Sequence, residues 1–225
     1  MRIVAIRPKS RRKRVKAKVA LFTVTFEPNE LRRHNSSFSA FCNNWCEYGP
    51  PKDCRNHCCD DGEYARLLDL WSEQGYLIPY FKNRLHLLNT PRYGNITNVN
   101  EAIERTKILL EVIQRQILQG DLNELFIPLY NRPSSKAKNP EMKKKVKIWH
   151  EEFENWLRLY AVKFIDKETG QVIIIITGGA IKLVAQMGDD PVVDYEETKQ
   201  DIVIDFIINN GYTTRDSIEK LIIAE

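Results

Sequence analysis

Two runs of β-forming residues, WLRLYAVKFI (156–165) and QVIIIIT (171–177), stand either side of DKETG. No other feature of the chain constrains its fold as much. A five-residue link ending in glycine is hairpin chemistry, so the two runs are expected to pair antiparallel. Both faces of each run are largely apolar, which places the hairpin inside a sheet covered on both sides.

The rest of the chain supplies that cover. KVALFTVTF (18–26) reads as a further strand. EYARLLDLWSEQ (63–74) sets Tyr64, Leu67, Leu68 and Trp71 at helical spacing, and YLIPYFKNRLHLL (76–88) reads as a bent helix with Pro79 in its first turn. The clearest helix follows Asn98, a good N-cap with Glu101 three residues on. Its apolar stripe runs from Ala102 to Leu118 and stops before Gly120, and the whole helix would be ~30 Å long. DLNELFIPL (121–129) reads as a short helical turn stopped by Pro128.

After the hairpin, AIKLVAQM (180–187) is expected to be a short helix. Residues 193–211 form a longer one with Ile202, Phe206 and Ile207 inward, and 213–225 a last one. The order is that of an α+β fold: a small, mainly antiparallel sheet with N-terminal helices packed on it and C-terminal helices. A basic N-terminal extension, 1–18, precedes a single domain, 19–225, with a Cys-rich loop at 41–61.

With 225 residues, 43% hydrophobic and 28% charged, the composition is that of an ordinary soluble domain. No apolar run approaches the ~20 residues of a membrane span, so a cytoplasmic protein with no membrane partner is expected. The net charge of +4 is unevenly spread: residues 1–18 hold nine Lys and Arg and no acid, and KAKNPEMKKKVK (136–147) holds six lysines. The second cluster reads as a loop or a basic helix. Solvated surface would explain either cluster alone, but the two together favour a nucleic acid, with Lys143, Lys144, Lys145 and Lys147 steering its backbone.

All five cysteines lie in FCNNWCEYGPPKDCRNHCCDD (41–61). In a reducing compartment clustered thiols are more often metal ligands than disulfides, and Cys42, Cys46, Cys54 and Cys58 could hold a structural zinc. Reduced cysteines in a surface loop fit the same spacing, as does redox chemistry. No cofactor is expected for catalysis.

TGGAIKL, at the end of the second β run, lacks both the spacing of a P-loop and the third glycine of a dinucleotide fingerprint. Gly178 and Gly179 therefore read as a strand-to-helix corner needing unusual backbone angles. The chemistry lies beside that corner. Trp156, Arg158 and Tyr160 are expected on one face of their strand, and Lys182 follows the glycines among apolar neighbours. Arg158 could pair with Glu154 and Lys182 could reach water along its stem. Alternatively Arg158 and Lys182, assisted by Tyr160, form a cationic notch that holds a phosphodiester and stabilises its charge during in-line attack.

NWLRLYAVKF…GQVIIIITGGAIKL resembles the core of the RelE/ParE superfamily of bacterial toxins, particularly the phage-derived and HigB-like members. There, a basic loop precedes a strand with a Leu-Arg pair, matched by Leu157-Arg158, and a glycine-containing corner with lysine, matched by Gly178 to Lys182. LFTVTF, LNELFIPLYN, WLRLYA and ITGGAIKL together resemble proteins encoded beside helix-turn-helix regulators. The resemblance spans about residues 105–190. It implies a small antiparallel sheet with N-terminal helices and a metal-independent endoribonuclease acting on messenger RNA, often ribosome-bound. Some members poison gyrase instead. The implied partner is a cognate helix-turn-helix antitoxin. Without the resemblance, a non-enzymatic nucleic-acid- or protein-binding module, zinc-stabilised and accessory to a DNA-binding regulator, remains open.

Overall fold

The computed structural model describes residues 1–6, 19–26, 62–130, 139–146, 154–184 and 191–223. Lys147 and the four candidate zinc ligands, Cys42, Cys46, Cys54 and Cys58, lie outside them.

Six strands form one sheet in the order β1-β2-β6-β5-β4-β3. They are β1 (Arg2–Ala5), β2 (Val19–Thr25), β3 (Phe126–Pro128), β4 (Lys143–Val146), β5 (Leu157–Ile165) and β6 (Val172–Ile181). The expected hairpin is the centre of the sheet: β5 and β6 pair antiparallel from Leu157↔Ile181 to Ile165↔Val172. The β2–β6 pairing is parallel and the other pairings are antiparallel. The fold is α+β.

Helices cover both faces, as the doubly apolar strands require. On one face lie α1 (Gly62–Ser72), α2 (Gln74–Lys82), α3 (Leu85–Leu88) and α4 (Val99–Gln119), followed by the single turn α5 (Leu122–Leu125). Their Leu67, Trp71, Phe81, Leu109 and Ile113 bury against Leu157, Leu159, Ile174 and Ile176. On the other face lie α6 (Pro191–Asn209) and α7 (Arg215–Ile223), where Val203, Ile204, Ile207 and Ile218 meet Phe22, Val162, Ile173 and Ile175. The Asn98 cap of α4 is present, its side chain accepting from the Glu101 N–H at 2.8 Å.

Four expectations change. Residues 1–18 are not wholly an extension, because β1 pairs with β2 and Ile3 is buried. The helix expected over 76–88 is broken at Asn83 and Arg84, and Pro79 sits inside α2. In the described part of the lysine run, residues 139–142 form a turn, as the loop reading allows, but Lys143–Val146 are strand β4.

The fourth concerns the glycines and the helix expected over 180–187: β6 runs on to Ile181 and residues 182–184 are not helical, so Gly178 and Gly179 are strand residues and neither has a positive φ. Their role is close approach. A β-bulge places Thr177 out of register, with Tyr160 opposite Gly178 and Ala161 opposite Ile176. A Cβ on Gly178 would lie 1.8 Å from Glu196 Oε2 of α6. One on Gly179 would lie 2.6 Å from the Arg158 carbonyl oxygen and 2.9 Å from both Leu67 and Trp71. Both helical layers press onto the sheet at this point.

Over Gly178 sits a buried charge cluster. Lys199 Nζ donates to Glu196 Oε1 at 2.8 Å and to Glu63 Oε2 at 2.9 Å, and Arg66 donates to both Glu63 oxygens. Burial pushes the Glu63 carboxyl up, but Arg66 and Lys199 outweigh it and hold it at about 2. For Glu196 burial dominates and the pKa is raised. The ion pairing therefore anchors α1 to α6 across the edge of the glycine gap.

Candidate anion-binding cleft

The end of the sheet where β5 begins and β6 stops opens into a small cleft of about 110 Å³, lined by Arg92, Leu129, Lys145, Glu154, Arg158, Tyr160 and Lys182. Its size is far below the roughly 300–1,000 Å³ of a drug-sized pocket, which suits a single ionic group.

The side chains arrive from several elements. Arg158 and Tyr160 alternate on β5 toward the α6 side, and Tyr160 packs with Leu129, Ala180 and Val193 beneath the cleft. In the β4–β5 register Lys145 stands opposite Tyr160. Its Nζ donates to the Leu129 carbonyl at 2.8 Å. Lys182 follows β6, its backbone N–H bonded to the Trp156 carbonyl at 2.7 Å. Arg92 comes from a 3₁₀ turn, Pro91–Tyr93, in the α1–α4 layer.

Arg158 is 5% exposed, and its Nη1 donates to the Asn155 and Leu157 carbonyls at 2.5 and 2.9 Å. The guanidinium is thus held by the backbone at the mouth of its own strand. Burial pulls its pKa down, while Tyr160 and Glu154 oppose that shift. Glu154 takes Arg92 in a forked pair, Nε to Oε2 at 2.5 Å and Nη2 to Oε1 at 2.9 Å, while Arg158 Nη2 stands 3.5 Å from Oε1. That hydrogen-bonded pairing raises the Arg92 pKa. Four cationic side chains and one carboxylate thus line the cleft.

Of the sequence candidates, Arg158, Lys182 and Tyr160 come together here, and Lys145 joins them. Trp156 does not share their face. It precedes β5 and turns into the opposite core, its Nε1 donating to Thr106 Oγ1 at 3.1 Å. Nor do Lys143, Lys144 and Lys145 form one steering patch: strand alternation turns Lys144 away from the other two, and α6 buries Lys143. Lys143 is 1% exposed and spends its ammonium on Glu197 and Asp201 of α6, at 3.1 and 2.9 Å. Lys144 faces the other side, beside Lys163. Sequence reasoning missed Arg92, sixty-two positions from the carboxylate it grips. No local signal in PRY could have announced it.

Among the described residues no group of three or more His, Cys, Asp or Glu is placed to hold a metal ion, and no helix is long and apolar enough to cross a membrane. Comparison with protein-family models, curated proteins and solved structures finds no match.

Proposed function

We propose that this chain is a RelE-like toxin that binds RNA at the cleft and cuts it without a metal ion, as one half of a toxin–antitoxin pair. The observation that carries this reading is the convergence of Arg158, Lys182, Tyr160 and Lys145 on one small cleft. These four come from three strands or their ends, and the Leu-Arg and Gly-Gly-Ala-Ile-Lys motifs supply Arg158 and Lys182. In this reading Arg158, pre-positioned by its backbone bonds, meets the charge that builds on a phosphodiester during in-line attack. Lys182 and Lys145 hold the remaining oxygens, and Tyr160 donates a hydrogen bond. A helix-turn-helix antitoxin would cover the cleft with an acidic segment, and a short neighbouring gene of that kind would support the pairing.

Inducible expression should arrest growth, and Arg158→Ala should relieve the arrest. With purified protein and messenger RNA, cleavage should persist in chelator and fall by about 10²–10³-fold in Arg158→Ala. Equal growth arrest by wild type and variant would remove the reading's main support. One observation favours a second reading, a binding module without cleavage: the cleft carboxylate Glu154 is engaged by Arg92 and poorly suited to take a proton. That module would bind RNA with steep salt dependence and leave it intact.

A further inference from the structure

We propose that Glu154 is a built-in competitor for the anion, occupying the cleft in the free protein and setting which anions it admits. This inference rests on the cleft binding an anion, as proposed above. The carboxylate lines the same 110 Å³ space as Arg158, Lys145 and Lys182. It presents a two-oxygen edge with one negative charge, and Arg92 grips that edge in a fork. A phosphodiester offers the same edge and the same charge, so it can replace Glu154 on these donors without changing the charge balance.

Geometry shows which half of the site is already prepared for the exchange. Arg158 Nη1 is tied to backbone carbonyls, but Nη2 faces Glu154 at 3.5 Å, well beyond the ~2.7–2.9 Å of a strong charge-assisted bond. The buried guanidinium edge is therefore only loosely served. The competing pair is also easily opened. The Arg92 side chain is 44% exposed and that of Glu154 21%, and such solvent-facing pairs contribute little net free energy. The Glu154 backbone N–H bonds to the Arg92 carbonyl at 3.2 Å, so the side chain can leave while the main chain stays anchored.

The consequence is selectivity. A free phosphate must displace Glu154 with no other contact to help it. A nucleic-acid strand brings further contacts and does so readily. Glu154 thereby keeps small cellular anions out of a site meant for a polymer.

The test is titration of inorganic phosphate, at low ionic strength in chloride, into wild type, Glu154→Gln, Arg158→Ala and the double variant. Glu154→Gln should bind phosphate about two- to fivefold more tightly than wild type. Arg158→Ala, alone or combined, should abolish that binding. If wild type binds phosphate through Arg158 but Glu154→Gln binds it equally or more weakly, Glu154 positions the arginines and the inference is overturned while the cleft stands. If no variant shows Arg158-dependent binding, the anion cleft itself is lost. Should Glu154→Gln lose cooperative unfolding, Glu154→Asp serves instead. One methylene shorter, it cannot reach both arginines, and the same tightening is expected; its absence counts against the proposal.

Discussion

At the scale of single residues, two glycines make opposite demands. Gly178 has ordinary strand dihedrals but no room, because Glu196 Oε2 lies where a Cβ would go. Gly170, in the β5–β6 turn, has open space but a φ of +68°. Gly170→Ala should therefore lose about 1–2 kcal/mol through backbone strain alone. Gly178→Ala should lose more, about 2–3 kcal/mol or above, through overpacking of a buried ion cluster. The diagnostic is Glu196→Ala, which empties the clashing space. Denaturant titrations of the single and double variants should show strong coupling between positions 178 and 196 and none between 170 and 196. The glycine pair was visible in the sequence, but its reason was not. The atom that excludes a side chain at 178 belongs to Glu196 of α6, eighteen residues further on, so local turn chemistry pointed to a corner that does not exist.

The strand β4 shows how an element reassigns its residues. Read as a run, Lys143, Lys144 and Lys145 look equivalent; set on a strand, they have three separate fates. Lys143→Ala should destabilise by about 2–3 kcal/mol, since it strands Glu197 and Asp201 without their buried partner. RNA binding by whatever remains folded should be unaffected. Lys145→Ala should leave the denaturation midpoint nearly unchanged yet, on the proposed RNA-binding reading, weaken RNA binding and flatten its salt dependence by roughly one phosphate contact. Parallel denaturation and binding measurements on the two variants separate these outcomes. The hairpin β5–β6 was legible because β-branched runs flank a turn that needs nothing from elsewhere. The α4 helix was legible because its cap and stripe are local. β4 was not, because lysine is a poor strand former whose placement here is decided by the acids of α6 and the register with β5.

For the whole molecule, acid should act on several joints together. Glu63 ties α1 to α6. Asp166, whose Oδ2 accepts the Arg215 N–H at 2.9 Å and whose Oδ1 accepts those of Glu168 and Thr169, ties the β5–β6 turn to α7. Those backbone bonds hold the Asp166 pKa at about 2, the same value as for Glu63. Both lie below the ~4 of an unfolded carboxylate, so their stabilisation is complete above about pH 4.5 and is lost as pH falls toward 2. Glu196, with its pKa raised, works in the opposite sense: its ionisation favours the unfolded chain as pH rises. Unfolding midpoints measured from pH 6 down to 2 should fall most steeply between about 4 and 2. Asp166→Asn should flatten that fall.

The parallel pairing of β2 with β6 has a consequence for how the protein is made. Val19 lies beside Val172, and Thr23 Oγ1 donates to the Ile176 carbonyl 153 residues later. A ribosome adding roughly 5–20 residues per second needs on the order of ten seconds or more to cover that span. Throughout that interval β1 and β2 have emerged with no central strand to join. The interior of the sheet, and with it the cleft at the end of β5 and β6, can close only after the chain has been made as far as Ile181.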